Sequence, residues 1–313
     1  PKDIEDGISV STLPETGMQE AVISEIIDSI NTGFYPNRHS LLIYKNDKLV
    51  SENYFTGQDY NWGRDIGIVK HSDTVLHDMR SVSKSVVSAC IGIAISQGKI
   101  KGVDQPIFDF FEDYNQFNNE GRDKLTIKHL LTMTSGLEWN EEVPYDNPLN
   151  SEIQMDESGD GVGFVLSRML TTVPGTEWKY NGGTTEILAT IIKRVTGMNV
   201  HEYAKEYIFE PLGIVNSEWT NSTGTNNPAA ASGLRLTSRD MLKFGILYYN
   251  GGEWEDKQIV PKEWVNESLK SSITRQDGGG YGYQFWIFDY AIQGKRLTIP
   301  AAVGNGDQRI YFD

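Results

Sequence analysis

Residues 82–97 read VSKSVVSACIGIAISQ. Wound as a helix, Val82, Val86, Val87, Ala89, Cys90, Ile91, Ile93, Ala94 and Ile95 cover nearly every face of it. A helix apolar all round has to be buried, so the rest of the chain must be built around this one. Gln97-Gly98 supplies its end. Yet it carries a cation. Lys84 lies one turn in, on the same face as Ser81 at the N-terminus. Burial and the positive end of the helix dipole both disfavour an ammonium there. A neutral amine beside a serine hydroxyl is a general base beside a nucleophile. A plainer reading needs no chemistry: Ser81 caps the helix, Lys84 reaches along its stem to water, and the spacing is chance. The spacing alone leaves both readings open.

The surrounding chain has 313 residues, enough for two intertwined subdomains. In MQEAVISEIIDSINTG, Val22, Ile23, Ile26, Ile27 and Ile30 share one helical face, and Gly33 stops the pattern. Two strand-like runs then flank Asn46-Asp47, a hairpin signal. From about Ser81 to Glu210 helical segments dominate, separated by irregular stretches. The acidic stretch at 140–162 reads as a surface loop, or as one that overhangs a site. After Pro211-Leu212-Gly213-Ile214 comes one more helix, with Thr237 or Ser238 as its cap. The segments GGGYGYQFWIF, LTIPAAV and RIYFD follow, all β-like. The expected fold is α/β (α+β): an antiparallel sheet flanked by helices, with a mostly helical insertion. Residues 1–80 and 211–313 form the sheet part and 81–210 the helical part, with a cleft between. RIYFD reads as a strand without a closing element, so the chain is expected to continue past Asp313.

Composition narrows the function. A formal net charge of −15 repels phosphate backbones and anionic lipid surfaces, which argues against nucleic-acid and membrane-surface binding. No apolar run is long enough to span a bilayer. The lone cysteine, Cys90, lies in an apolar run and reads as a small core residue. His39, His71, His77, His129 and His201 show no metal-ligand spacing with a third ligand nearby, so no metal site and no cofactor are expected. There is no G-x-S-x-G elbow, no G-x-G-x-x-G loop after a strand and no Walker sequence.

Several stretches, taken in order, resolve the open question. They are MRSVSKSVVSACIGIAISQGKIKGVDQPI, LTIKHLLTMTSGLEW, VPGTEWKYNGGTTEILATIIKRVTG, YIFEPLGI, GLRLTSRDMLKFGILYYNGG and YGYQFW. Together they resemble the serine β-lactamase and penicillin-binding-protein-like hydrolases. The resemblance is to the branch with class C β-lactamases, D-alanyl-D-alanine carboxypeptidases, family esterases and 6-aminohexanoate-dimer hydrolase. It implies that Ser81 is the acylated nucleophile and Lys84 its base. Tyr180, in Tyr180-Asn181-Gly182, matches the Tyr-x-Asn element and would pass the proton to the leaving group, its pKa lowered by nearby ammonium charge. The third position is Gly182 rather than Asn, and Asn181 would have to supply the amide. The Lys-Thr-Gly element is replaced by Gly304-Asn305-Gly306, whose glycines let the backbone approach a ligand. Asp307 follows, a charge expected to disfavour anionic substrates. The backbone N–H groups of Ser81 and Asn305 would form the oxyanion hole. Trp139, Tyr145, Trp178, Tyr281, Tyr283 and Trp286 would border the cleft, with Trp178 against the substrate.

The function implied is acyl transfer by a serine hydrolase on a small ester or amide. A true β-lactamase or carboxypeptidase and a non-catalytic binding protein on the same scaffold stay open as alternatives. Family habit and the start at Pro1 imply an exported bacterial protein.

Overall fold

A computed structural model describes residues 1–313. The chain opens with helix α1 (Glu20–Asn31) and hairpin β1 (Ser40–Lys45)–β2 (Lys48–Tyr54). A second hairpin, β3 (Thr56–Asn61)–β4 (Arg64–Lys70), leads to the short β5 (Leu76–Asp78) and then to α2 (Val82–Ser96). The helical stretch follows: α3 (Ile127–Leu131), α4 (Ser151–Glu157), α5 (Gly161–Leu166), α6 (Gly182–Thr196) and α7 (Val200–Ala204). Then come β6 (Glu218–Trp219), β7 (Leu234–Thr237), α8 (Ser238–Tyr249), the small hairpin β8 (Glu253–Trp254)–β9 (Lys257–Gln258) and α9 (Lys262–Ser268). The chain finishes with β10 (Ile273–Thr274), β11 (Gly280–Tyr281), β12 (Trp286–Ile292), β13 (Lys295–Gly304) and β14 (Gln308–Tyr311). No helix is long and apolar enough to cross a membrane.

Local chemistry explains many boundaries. Asn46 and Asp47 hold φ of 51° and 59°, the left-handed pair that a two-residue turn between twisted strands requires. Side chains of Asn150, Asp160, Asn181, Asn199 and Thr237 cap α4, α5, α6, α7 and α8. β10 to β14 form one antiparallel sheet in sequence order, and β5, β7 and β6 form a second, with β7 central. β1–β2 pair only with each other, so the two ends of the chain contribute neighbouring sheets rather than one continuous sheet. β1, α8 and β14 line a cavity of about 1010 Å³.

α2 lies at the centre, against α6, α7, α9 and β13. Every residue from Val82 to Ala94 is buried, as an apolar circumference demands. α1 behaves differently. Of its apolar face only Ile23 is buried, while Val22 and Ile26 stay exposed. Periodicity makes a helix here, but the core leaves it on the surface. The N-terminal segment is anchored by charge instead: Arg239 pairs with Asp6 at 2.9 Å and Glu52 at 2.8 Å, and Lys243 reaches Asp6 at 3.4 Å.

Close packing sets one sharp constraint on α2. A Cβ at Gly92 would collide with the Trp264 indole of α9. Gly92→Ala gains helix propensity of about 1 kcal/mol. Overpacking against a buried indole costs about 1–3 kcal/mol and should win. The expected result is a lower thermal midpoint for Gly92→Ala, read by calorimetry; an unchanged or raised midpoint would show that Trp264 yields.

Candidate active site

β5 runs straight into α2, and the short joint presents Ser81. Met79 N–H donates to Leu234 O of β7 at 2.8 Å, which fixes the approach. Arg80 then takes φ 47°, a left-handed conformation costly for a non-glycine residue. Its guanidinium is tied to Asp78 at 3.3 Å. The sharp turn leaves Ser81 at the helix N-cap without a side-chain cap bond, so its hydroxyl is free for other partners. Lys84 Nζ donates to Ser81 Oγ at 3.0 Å and to Ala231 O at 2.9 Å. Lys84 is 1% exposed, so it does not snorkel, and the plain reading of the Ser-x-x-Lys spacing falls away. Ser81, Arg80 and Asn305 line a cavity of about 460 Å³ together with Tyr145, Glu152 and Glu186.

The end of β13 closes on the same point. A Cβ at Gly304 would collide with Met79 O and lie 3.1 Å from Ser81 N. Only glycine permits this approach. Neither the Ser81 nor the Asn305 N–H donates to a backbone carbonyl, so both are available to a ligand oxygen. Gly306, at φ 84°, shapes the turn after β13 and faces a neighbouring pocket rather than the cavity.

Electrostatics depart from the expectation of a neutral Lys84. Burial does act to lower its pKa, but the charges of Tyr180, Glu152 and Glu141 outweigh it and hold Lys84 above an ordinary lysine. Tyr180 and Glu152 contribute only once ionised. Glu141 is the resting counter-charge: burial would raise its carboxyl, yet Lys84's charge and bonds from Glu152, Gly182 and Trp139 keep it below the usual range. Gly182 N–H and Trp139 Nε1 each donate to Glu141 Oε2 at 2.7 Å, and Tyr145 OH donates to Oε1 at 2.8 Å. Glu152 is the opposite partner. Burial, then the charge of Glu141, raise its carboxyl well above normal, so it holds a proton. Burial lifts Glu186 to about 7 against the hydrogen bond it accepts from Ala231 N–H. For Tyr180, burial raises the phenol; Lys84 opposes this without reversing it, which corrects the expectation of a lowered pKa. Lys84 Nζ stands 5.0 Å from the Tyr180 ring centroid.

These glutamates escaped sequence reasoning. Glu141 and Glu152 lie in the stretch read as a loop, and α4 is the element that carries Glu152 inward. Glu186 sits in the first turns of α6. Their presence explains Gly182. A Cβ there would collide with Glu152 Oε2 and lie 3.2 Å from Glu141 Oε2. The carboxyl pair fills the space that an asparagine side chain would need.

Other expected site residues move away. Asn181 is 1% exposed and off the cavity wall; its Oδ1 caps α6 through Thr184 N–H at 3.2 Å, while its Nδ2 is buried without a hydrogen-bond partner. Trp178 packs against Tyr281 and Trp286, with ring centroids 5.7 and 5.6 Å away, behind Tyr180 and off the cavity wall. Trp139 and Tyr283 are core residues, and of the six aromatics only Tyr145 lines the cavity. Asp307 is not a bare charge: Arg38 at 2.8 Å and Arg309 at 2.7 Å pair with it and hold its carboxyl low. The acidity of the cleft comes from Asp146 and Asp156, with Glu186 adding to it as it ionises. Spacing also failed for histidine, because the fold gathers His39, His71 and His77 around Asp59.

The Beta-lactamase family profile matches residues 39–311. The 6-aminohexanoate-dimer hydrolase of Paenarthrobacter ureafaciens is 27% identical over 258 residues, 76% of this chain and 63% of that protein. The chain thus spans less than two thirds of that relative's length. Lovastatin esterase of Penicillium rubens is 29% identical over 118 residues, 35% of this chain and 28% of that enzyme. Among solved structures, a 6-aminohexanoate-dimer hydrolase homologue from Bacillus anthracis superposes with TM-score 0.71 at 23% identity, over 90% of this chain and 72% of that one. With a profile running from the first hairpin through β14, and a fold shared across nine tenths of its length, the chain belongs to the Beta-lactamase family.

Proposed function

We propose that the protein is a serine hydrolase that forms an acyl-enzyme at Ser81 and acts on small esters or amides. One observation carries this reading: a fully buried lysine amine 3.0 Å from an uncapped serine hydroxyl at a cavity floor. Ser81 Oγ attacks the substrate carbonyl. The new oxyanion sits between the N–H groups of Ser81 and Asn305, each worth about 3–4 kcal/mol in comparable sites. Lys84 rests as an ammonium, so it first loses a proton to solvent, and the free amine then takes the proton of the Ser81 hydroxyl. Tyr180, beside Lys84, then relays a proton to the leaving group. Water attacks the acyl-enzyme and Ser81 is restored.

The substrate follows from the walls. Asp146 and Asp156, joined by Glu186 as it ionises, make the cavity repel a carboxylate. Arg80, the arginine on the cavity wall, is paired with Asp78, and Arg38 and Arg309 are engaged by Asp307. A neutral or amine-bearing substrate fits; a penicillin or a peptide C-terminus does not. The amide and ester chemistry named for the Paenarthrobacter and Penicillium relatives supports this class.

Intact-mass analysis after fluorophosphonate treatment tests the nucleophile. Wild type should gain one adduct and Ser81→Ala none, with ester turnover down at least about 10³-fold. An adduct of equal yield on the folded variant would end the assignment. The resting ammonium sets the pH profile. A base whose pKa is held high is unblocked only as pH rises, so kcat/KM should still be climbing above neutrality. A plateau at or below neutrality would contradict it. Glu186 gives a stability test. Its raised pKa means the folded state binds its proton more tightly, which stabilises at low pH and is lost between about 4.5 and about 7. Glu186→Gln keeps the bond from Ala231 and should raise the thermal midpoint above pH 7 more than at pH 5, roughly the two ends of that window. An equal shift at both would refute the buried titration.

A further inference from the structure

A second cluster of functional groups lies outside the Ser81 cavity. It draws on four separate segments: His39 just before β1, Asp59 in β3, His71 just after β4 and His77 in β5. One donor atom from each lies within 4.8 Å of all the others. Asp59, His71 and His77 are buried, and His39 is half-buried.

The hydrogen bonds around the cluster fix which nitrogens face inward. His77 Nδ1 stands 3.0 Å from Asp78 O, a carbonyl that can only accept, so this nitrogen carries the proton. His39 Nε2 likewise faces Asn37 Oδ1 at 3.3 Å. The inner nitrogens, His39 Nδ1 and His77 Nε2, are therefore lone-pair bearers, and they stand 2.5 Å apart. Two lone pairs do not face each other at that distance unless something positive lies between them. Asp59 Oδ1 is 3.4 Å from His77 Nε2 and 4.0 Å from His39 Nδ1. Two further atoms point into the same space with no hydrogen-bond partner: Asp59 Oδ2 and His71 Nε2, 3.7 Å apart. Unpartnered buried acceptors are rare in folded proteins and call for an explanation.

We propose that His39, Asp59, His71 and His77 bind a divalent transition metal, zinc by their donor chemistry. Three neutral imidazoles and one carboxylate are borderline ligands of the kind zinc takes in four-coordinate sites. Ligands about 2.0–2.1 Å from a tetrahedral ion sit about 3.3 Å from one another; the separations here run from 2.5 to 4.8 Å, so the ion would part His39 and His77 and draw Asp59 and His71 in. The outer contacts of His77 and His39 are the orienting bonds that metal-bound histidines make. The pocket beside them, of about 340 Å³ and bordered by His39, Asp59 and His77, gives the ion a route in.

Four protein ligands leave no open position, so the ion is structural. Its place explains what it holds. The β3–β4 hairpin pairs with no other strand and leaves Ile66 and Ile68 exposed. A two-stranded hairpin is marginal on its own. The metal ties both of its ends to β5, the strand that delivers Ser81 four residues after His77.

The test uses the full chain, stripped with a chelator and titrated with Zn²⁺. One equivalent should bind, raise the thermal midpoint, and be replaceable by Co²⁺ with the intense visible spectrum of tetrahedral cobalt. Asp59→Asn and His71→Gln should each weaken zinc binding more than about 100-fold, whereas Ser81→Ala should leave it unchanged. Zinc-edge X-ray absorption of the wild type should show three imidazoles, a readout that needs no variant to fold. The proposal is overturned if the folded wild type takes up no stoichiometric zinc, which would leave a proton shared by His39 and His77. It is overturned equally by fewer than three imidazoles, or by folded variants that bind zinc as tightly as wild type.

Discussion

The rest of the site depends on one buried charge. Lys84 is enclosed by a helix with no polar face, and an ammonium there is tolerable only beside an anion. Glu141 supplies it, itself held by the Gly182 and Trp139 N–H groups. That dependence orders the neighbourhood. Glu152 must hold a proton because it lies against Glu141, and α6 must begin with a glycine because both carboxyls crowd its first turn. Chemistry and packing share the same few atoms.

The parts legible in the sequence were those written in local spacing. Val82 to Ile95 announced a buried helix, and Ser81 with Lys84 announced a pair on one face, because three residues make nearly one turn. Asn46-Asp47 announced its hairpin because few residues accept two consecutive positive φ angles. Glu152 was hidden in an acidic stretch whose charges look solvated until α4 turns one inward. Asn181 looked available but caps a helix, and Asp307 looked bare but has two arginine partners, Arg38 far off in sequence and Arg309 two residues on. His39, Asp59, His71 and His77 follow no ligand spacing, because pairing in β3–β4 and β5–β7, rather than one loop, brings them together.

The two clusters meet at β5. His77 and Asp78 belong to it, and Met79, Arg80 and Ser81 continue it. Asp78 accepts from Trp62 N–H at 2.5 Å and from Arg235 Nε at 3.0 Å, so the hairpin tip, β7 and the nucleophile strand are locked at one carboxylate. Arg80 can keep its left-handed backbone because both sides of the turn are held. Strain of this kind persists only where the surroundings over-determine it.

The crowding at Gly182 also bears on how such a site changes over generations. An asparagine at 182 would press on Glu152 and Glu141 where they stand, and removing Glu141 first would strand the charge of Lys84. The three positions are therefore coupled through packing, and a relative with Asn at this place should differ at the position of at least one of the two glutamates as well.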